Sequence, residues 1–232
     1  MTTEQQQTLA EMAFEGIYGL IMSGELALGG VVNEATLSKR FDISRGPIRE
    51  AVQRLQGLRL VTREPYMRAR VVSLSARDVI EIFQLREAVE GMACRLAATH
   101  MSDERIEALA VKVGGARREV SAPRAADMAF DLHAMIAGGC GNSRIEQLLC
   151  DDLHHLLRLY RRRSGEKPGR RDQAREEHWQ IVRAIEKRDG NLAESLMRSH
   201  IGRATDLLVA GLKADESAAK RPRSNRDHTR AA

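Results

Sequence analysis

The feature that most constrains this chain is the helical spacing of its apolar residues after Ser73. Apolar side chains recur every three or four positions there, which predicts helices near residues 76–100, 103–120, 123–140, 142–163, 171–189 and 191–213. Ser75, followed three residues later by Asp78, resembles the capping box that begins a helix. Residues 73–214 are therefore predicted to form an all-α domain, a bundle of about six helices.

The first 72 residues have a different pattern of shorter elements. Three helices are predicted, at residues 8–23, from Asn33 to Phe41 and from about Arg45 to Leu58, followed by short strands at 60–62 and 69–72. Gly24 favours a left-handed cap after the first helix, Asn33 is a candidate N-cap for the second, and Pro47 fits the first turn of the third. This order predicts a winged helix-turn-helix over residues 1–72, so the fold class is mostly α.

The charge of the chain is concentrated at one end. The net charge is +5, yet residues 217–232 hold five Lys or Arg and one Asp, while residues 1–72 hold nine basic and eight acidic residues. We expect residues 215–232 to be a disordered basic tail, which either solubilises the chain or holds DNA loosely. An argument for DNA binding must therefore depend on local pattern rather than on net charge.

Cysteine usage and hydropathy predict a cytoplasmic protein. Three cysteines without a C-x-x-C pair favour a reduced environment and no thiolate metal site. No apolar run reaches membrane-spanning length, and the polar N-terminus is unlike a signal peptide.

The third helix has the pattern of a DNA-reading helix. Arg45 and Arg49 are four residues apart and share one face, and Ser44 stands at the helix N-terminus, where free N–H groups suit a phosphate. Either arginine is suited to guanine or to phosphate, and Arg68 and Arg70 lie in the predicted wing. The alternative is a small solvated hairpin with surface arginines.

The stretch IYGLIMSGELALGGVVNEATLSKRFDISRGPIREAVQRLQGLRLV, residues 17–61, resembles the winged helix of the GntR family of bacterial regulators. The resemblance implies that Ser44, Arg45 and Arg49 read the operator. The wing departs from the family, because Met67-Arg68 stands where an Arg-Gly pair is usual.

Three later stretches, LREAVEGMACRLAA, FDLHAMIAGGCGN and EEHWQIVRAIEKRDGNLAESLMRSHI, resemble the FadR-type, all-helical (FCD-like) ligand domain of the same family. This resemblance covers roughly residues 78–213 and favours the six-helix variety. It implies a homodimer and a central cavity that binds a small organic acid, often beside a divalent metal held by histidines.

The histidines form a candidate metal and effector site. His178 lies 12 residues before Gly190 and His200 lies 10 residues after it, so on antiparallel helices they reach similar heights, roughly 18 and 15 Å from the turn. They are either metal ligands or buried core histidines. The resemblance supplies His133 as a third ligand. Three imidazoles suit Zn, Ni or another first-row metal, with open positions for an effector carboxylate.

The fourth ligand of the family pattern is missing, because Ala129 stands where an Asp is expected. Its neighbours Asp127 and Asp131 lie on other faces of the helix. Asp151 and His155 are four residues apart on the next helix, a spacing that suits two metal ligands. Such a pair is more commonly a solvated ion pair.

Arg86 lies at the edge of an apolar helical stripe. The resemblance suggests that it pairs with an effector carboxylate. The alternative is an ion pair with Glu90, four residues later on the same helix.

The sequence therefore predicts a metabolite-responsive transcription regulator, a repressor, that binds a pseudo-palindromic operator as a homodimer. It senses a small carboxylate. Either a divalent metal lies beside that carboxylate, with water or the carboxylate itself in the place of the missing Asp, or the site is metal-free and the histidines hydrogen-bond the acid directly. One alternative is a metal-dependent enzyme using His133, His178 and His200, although no nucleophile–base pair or phosphate-binding loop accompanies them. Another is a structural DNA-bending protein that ignores small molecules.

Overall fold

The computed structural model of the protein describes residues 7–118, 125–164 and 169–220. Its N-terminal part contains three helices, α1 Leu9–Ser23, α2 Glu34–Phe41 and α3 Arg45–Gly57. Two antiparallel strands follow, β1 Val61–Thr62 and β2 Arg70–Val71, with Val61 opposite Val71. These elements confirm the predicted winged helix-turn-helix, with strands shorter than expected.

Local caps fix the ends of these helices. Gly24 ends α1 in the left-handed conformation, with φ at 81°. The Asn33 side chain accepts hydrogen bonds from the N–H groups of Ala35 and Thr36, which starts α2. Helices α1 and α3 then pack around buried apolar side chains, including Ile17, Ile21, Ile48, Val52 and Leu55.

The rest of the described chain is helical, as predicted. The helices are α4 Ala76–His100, α5 Asp103–Arg118, α6 Ala125–Gly139, α7 Ser143–Gln147, α8 His154–Ser164, α9 Arg170–Glu186 and α10 Gly190–Lys220. Ser75 and Asp78 form the predicted capping box at the start of α4.

The long helices α4 and α10 form the most extensive contact of this domain. Gly91 permits their close approach, because a Cβ atom added there would lie 2.8 Å from Cγ of Arg198. Helix α9 packs against α5 and α10, and α6 packs against α4. The face that α4, α6, α9 and α10 share becomes the centre of the domain.

The helix predicted over residues 142–163 is not continuous. A π-helical turn, Leu148–Asp152, separates α7 from α8, and the N–H of Leu153 donates to the carbonyl of Leu148, five residues earlier. The turn admits one extra residue. Because Leu149, Leu153 and Leu157 still recur every four positions and stay buried, apolar spacing alone gave no sign of the interruption.

Helix α10 runs to Lys220, beyond the predicted end near residue 213 and into the predicted tail. The remaining tail residues, 221–232, lie outside the described residues. Among the helices that the structure describes, none combines the length and apolarity needed to cross a membrane.

Helix α8 connects the two halves of the molecule. Tyr160 accepts a hydrogen bond from the N–H of Leu74 in the connecting segment, at 2.7 Å. Arg158 donates to the hydroxyl of Tyr18 on α1, at 3.2 Å. The ring of His155 meets the ring of Tyr18 edge-on, with centroids 5.5 Å apart. The N-terminal domain is therefore held at α1 and at the connection.

The contact continues from α1 to α3. Phe14 stacks on Tyr18, with centroids 5.9 Å apart. The guanidinium of Arg54, near the end of α3, lies 4.3 Å above the Phe14 ring. Neighbouring side chains thus join α8 to the helix that carries Arg45 and Arg49.

Replacing Tyr18 by leucine removes the hydrogen bond from Arg158 and the ring contact with His155. We expect the loss of about 1 kcal/mol at the domain contact, faster proteolysis near Leu74 and separate unfolding of the two domains by calorimetry. Tyr66→Leu is the control, because the Tyr66 side chain is fully exposed. A single unfolding transition that Tyr18→Leu leaves unchanged would show that α8 does not hold the N-terminal domain.

Candidate metal centre and nucleic-acid interface

Among the described residues of the all-helical domain, seven charged or imidazole side chains are buried. They are Arg86, Glu90, His133, Arg170, Glu177, His178 and His200. Burial of such groups is costly unless they neutralise and hydrogen-bond one another. Their burial in one apolar domain marks the first candidate site.

The three predicted histidines meet there, from three different helices. His133 comes from α6, His178 from α9 and His200 from α10, and one nitrogen of each ring lies within 4.8 Å of those of the other two. Nε2 of His178 is 3.3 Å from Nε2 of His200. Among the described residues this trio is the group with metal-ligand spacing.

Two glutamates hold two of the three rings. Glu90 Oε2 accepts a hydrogen bond from Nδ1 of His133, and Glu177 Oε2 accepts one from Nδ1 of His200 at 2.5 Å. Because Nδ1 is engaged in both rings, Nε2 is the nitrogen that suits a metal. Sequence reasoning considered Glu90 only as a partner of Arg86 and missed Glu177, since that contact joins residues 23 apart on two helices.

Both carboxylates also accept hydrogen bonds from arginines. Nε of Arg86 donates to Glu90 Oε1 at 2.6 Å, so the predicted pair forms and is buried. Arg170 donates to Glu177 Oε2 at 2.9 Å, and Arg203 donates to Glu177 Oε1 at 2.7 Å. Arg170 was also missed, although it stands seven residues before Glu177, two turns along one helix face.

These contacts set the charge state of the site. Burial raises the pKa of Glu177, but the hydrogen bonds and charges of His200 and Arg170 outweigh it and bring the pKa to about 2. Burial lowers the pKa of His200 to about 3, against the opposing effect of Glu177. At neutral pH Glu177 is therefore ionised and His200 is neutral, as a metal-binding imidazole must be.

The imidazole donors suit a first-row divalent metal, and the spacing of two of them matches its geometry. Zn–N bonds of about 2.0–2.1 Å at tetrahedral angles separate two ligand nitrogens by about 3.3–3.4 Å. The observed separation between His178 and His200 is 3.3 Å. At this distance the two Nε2 atoms share either a proton, as in a hydrogen bond, or a cation.

Two other sequence predictions bear on this centre. Ala129 lies on α6, four residues before His133, but its side chain is outside the described residues, as are those of Asp127 and Asp131. Asp151 is exposed in the π-helical turn and His155 contacts Tyr18, so the structure does not bring this pair together with the three histidines.

Arg86 has one further property. Its side chain is 1% exposed, and its guanidinium lies 5.1 Å from the centroid of the Phe83 ring. Nη1 is buried and has no hydrogen-bond partner among the residues that the structure describes. A buried N–H donor without an acceptor is costly, so the position suits an incoming anion.

The second candidate site lies at the start of α3. Ser44, Arg45 and Arg49 are all exposed there. The Ser44 hydroxyl makes no capping bond, and Arg49 Nε is 3.7 Å from the Glu34 carboxylate on α2. The N-terminus of α3 therefore presents a hydroxyl and two guanidinium groups to solvent.

The two predicted wing arginines differ in their contacts. Arg68 is exposed between the strands. Arg70 is also exposed, but its Nη1 donates to the carbonyl of Gly29 at 2.8 Å and ties β2 to the segment before α2. Arg68 is therefore the more available of the two.

Both halves of the chain match known families. The model described as "Bacterial regulatory proteins, gntR family" matches residues 9–71, and the one described as "FCD domain" matches residues 81–203. The chain is 30% identical over 200 residues to a "Probable D-xylose utilization operon transcriptional repressor" of Paenarthrobacter nicotinovorans, covering 84% of this chain and 86% of that protein. It is 29% identical over 177 residues to the HTH-type transcriptional repressor GlaR of Escherichia coli, covering 71% and 80%.

Solved structures share the fold. McbR/YncC of Escherichia coli superposes with a TM-score of 0.61 at 18% identity, covering 90% of this chain and 99% of that one. Lar of Listeria monocytogenes superposes with a TM-score of 0.63 at 16% identity, covering 89% and 99%. The two family models and the two observed domains lead to the same conclusion. The chain belongs to the GntR family of bacterial transcription regulators and carries the FCD type of ligand-binding domain.

Proposed function

We propose that this protein is a repressor that binds a two-fold operator as a homodimer and changes its DNA affinity when a small organic acid binds in the FCD domain. Acid binding is supported chiefly by the buried Nη1 atom of Arg86, which has no hydrogen-bond partner among the described residues, although Nε of the same guanidinium donates to Glu90. Both relatives described above are named as transcriptional repressors, which favours regulation over metal-dependent catalysis.

A divalent metal of the Zn or Ni class sits beside the acid in this proposal, on His133, His178 and His200. Two buried arginines and two buried glutamates cancel in charge. A dication on neutral imidazoles would then be uncompensated, and a carboxylate that reaches both the metal and Arg86 supplies the missing negative charge. With Ala129 in place of the family's Asp, water or that carboxylate completes the coordination.

Residues 1–72 are the DNA-binding domain in this proposal, and residues 73–214 sense the acid and form the dimer. Ser44, Arg45 and Arg49 contact the operator, with Arg68 and Arg70 on the wing side. A single winged helix reads few base pairs, so useful specificity needs two copies on a two-fold site. Leu85 and Met92, exposed on α4 and seven residues apart, offer an apolar face for the second copy.

Replacing Arg49 by alanine tests the reading helix. An operator is first selected from random duplex DNA with the wild-type protein. We expect Arg49→Ala to weaken operator binding by about 5- to 150-fold, the loss of a 1–3 kcal/mol base contact, and to leave binding to random DNA little changed. Arg77→Ala, at an exposed position on α4, is the control. Equal losses on operator and random DNA would make Arg49 a phosphate contact.

Metal analysis tests the sensor site. Protein purified without chelator or affinity resin should carry one metal per chain, and titration of the apo protein with Zn²⁺ should raise its melting temperature. His200→Gln should abolish both effects. The control is His100→Gln, which should leave both effects intact, because the wild-type His100 ring contacts the Cys140 carbonyl through Nδ1. Ala129→Asp should tighten binding by adding a charged ligand. No bound metal and no thermal shift in the wild type would remove the metal from the proposal.

A further inference from the structure

We infer that Glu90 and Glu177 are positioning residues for the metal site, which set the tautomer and strengthen the ligand nitrogens of His133 and His200. The inference rests on the proposed metal binding and deepens it. The three histidines alone are a neutral ligand set, because Ala129 stands where the family pattern has a carboxylate. The structure assigns two carboxylates to the same centre, acting through the rings instead of on the metal.

A similar chain of residues lies on each side of the centre, although Glu177 also accepts from Arg203. Glu90 accepts hydrogen bonds from both Arg86 and His133, so these three residues form one chain of hydrogen bonds. Arg170, Glu177 and His200 form the other. Each carboxylate is buried, held by an arginine and directed at the Nδ1 atom of a different histidine.

The first consequence concerns the proton of each ring. A neutral imidazole carries one proton, on Nδ1 or on Nε2. An ionised carboxylate against Nδ1 only accepts, so it keeps the proton on Nδ1 and leaves the lone pair on Nε2. That is the nitrogen by which His200 approaches His178.

The second consequence concerns ligand strength and orientation. A carboxylate that accepts the Nδ1 proton raises the basicity of the ring and fixes its rotation, and loss of such a partner typically weakens metal binding about 10- to 100-fold. Glu90 divides its oxygens between two partners, Oε1 to Arg86 and Oε2 to His133. A glutamate that only neutralised the arginine would not need the second contact.

Glu90→Gln gives the clearest test, because the groups on either side of residue 90 favour one orientation of the glutamine amide. The single amide oxygen of glutamine is drawn to the Nε–H of Arg86, and its NH₂ group then faces Nδ1 of His133. The ring must accept at Nδ1 and carry its proton on Nε2, where it opposes a metal. Glu177→Gln tests the hydrogen bonds of Arg170, Glu177 and His200, because it removes the negative charge of the Glu177 carboxylate.

The metal readout is the dissociation constant for Zn²⁺, measured by competition with a chromophoric chelator. We expect Glu90→Gln and Glu177→Gln to bind roughly 10- to 100-fold more weakly than the wild type. Glu194→Gln is the matched control, because Glu194 pairs with Arg95 and Arg198 instead of with a histidine. Wild-type affinity in both test variants would overturn the inference, whereas absence of Zn²⁺ binding in the wild type would overturn the proposed metal function.

A second readout needs no metal. Nitrogen-15 NMR of the imidazole rings in the apo protein reports which nitrogen carries the proton, with His133→Gln used for assignment. We expect His133 to carry its proton on Nδ1 in the wild type and on Nε2 in Glu90→Gln. A wild-type His133 with its proton on Nε2 would overturn the inference whether or not the protein binds Zn²⁺.

Discussion

The mutual neutralisation of charge inside the helical domain is the constraint on which the rest of the structure depends. Arg86 with Glu90, and Arg170 with Glu177, bury two ion pairs among apolar side chains. Replacing one member of such a pair typically costs about 3–5 kcal/mol, because its partner is left charged and buried. Each ion pair lies within one helix, and its glutamate also contacts a histidine of a neighbouring helix: Glu90 joins α4 to His133 on α6, and Glu177 joins α9 to His200 on α10. These contacts between helices bring the three histidines together.

The same arrangement gives the site a route to the DNA-binding domain. Helix α10, which carries His200, packs against α8, and α8 contacts both Tyr18 and Leu74. Tyr18 stacks on Phe14, and the Phe14 ring in turn contacts Arg54 on α3. Packed side chains therefore form a continuous connection between the helix that carries His200 and α3.

Much of the fold could be predicted because its signals are local. Gly24 and Asn33 mark helix ends by their own backbone and side-chain preferences, and Ser75 with Asp78 marks the start of α4. The π-helical turn could not be predicted, because one extra residue leaves the apolar spacing nearly unchanged. The histidines could be identified from helix geometry and family resemblance, whereas the link between Glu177 and His200 depends on how α9 and α10 face each other. Pairing across two helices has no signature in either segment alone.

In the proposed function, this buried polar centre is a metal site built on three histidines. X-ray absorption at the zinc edge, on protein loaded with one equivalent of Zn²⁺, tests it most directly. The account predicts a first shell of three imidazole nitrogens at about 2.0–2.1 Å, completed by oxygen. A first shell dominated by oxygen or sulfur, without imidazole scattering, would contradict it.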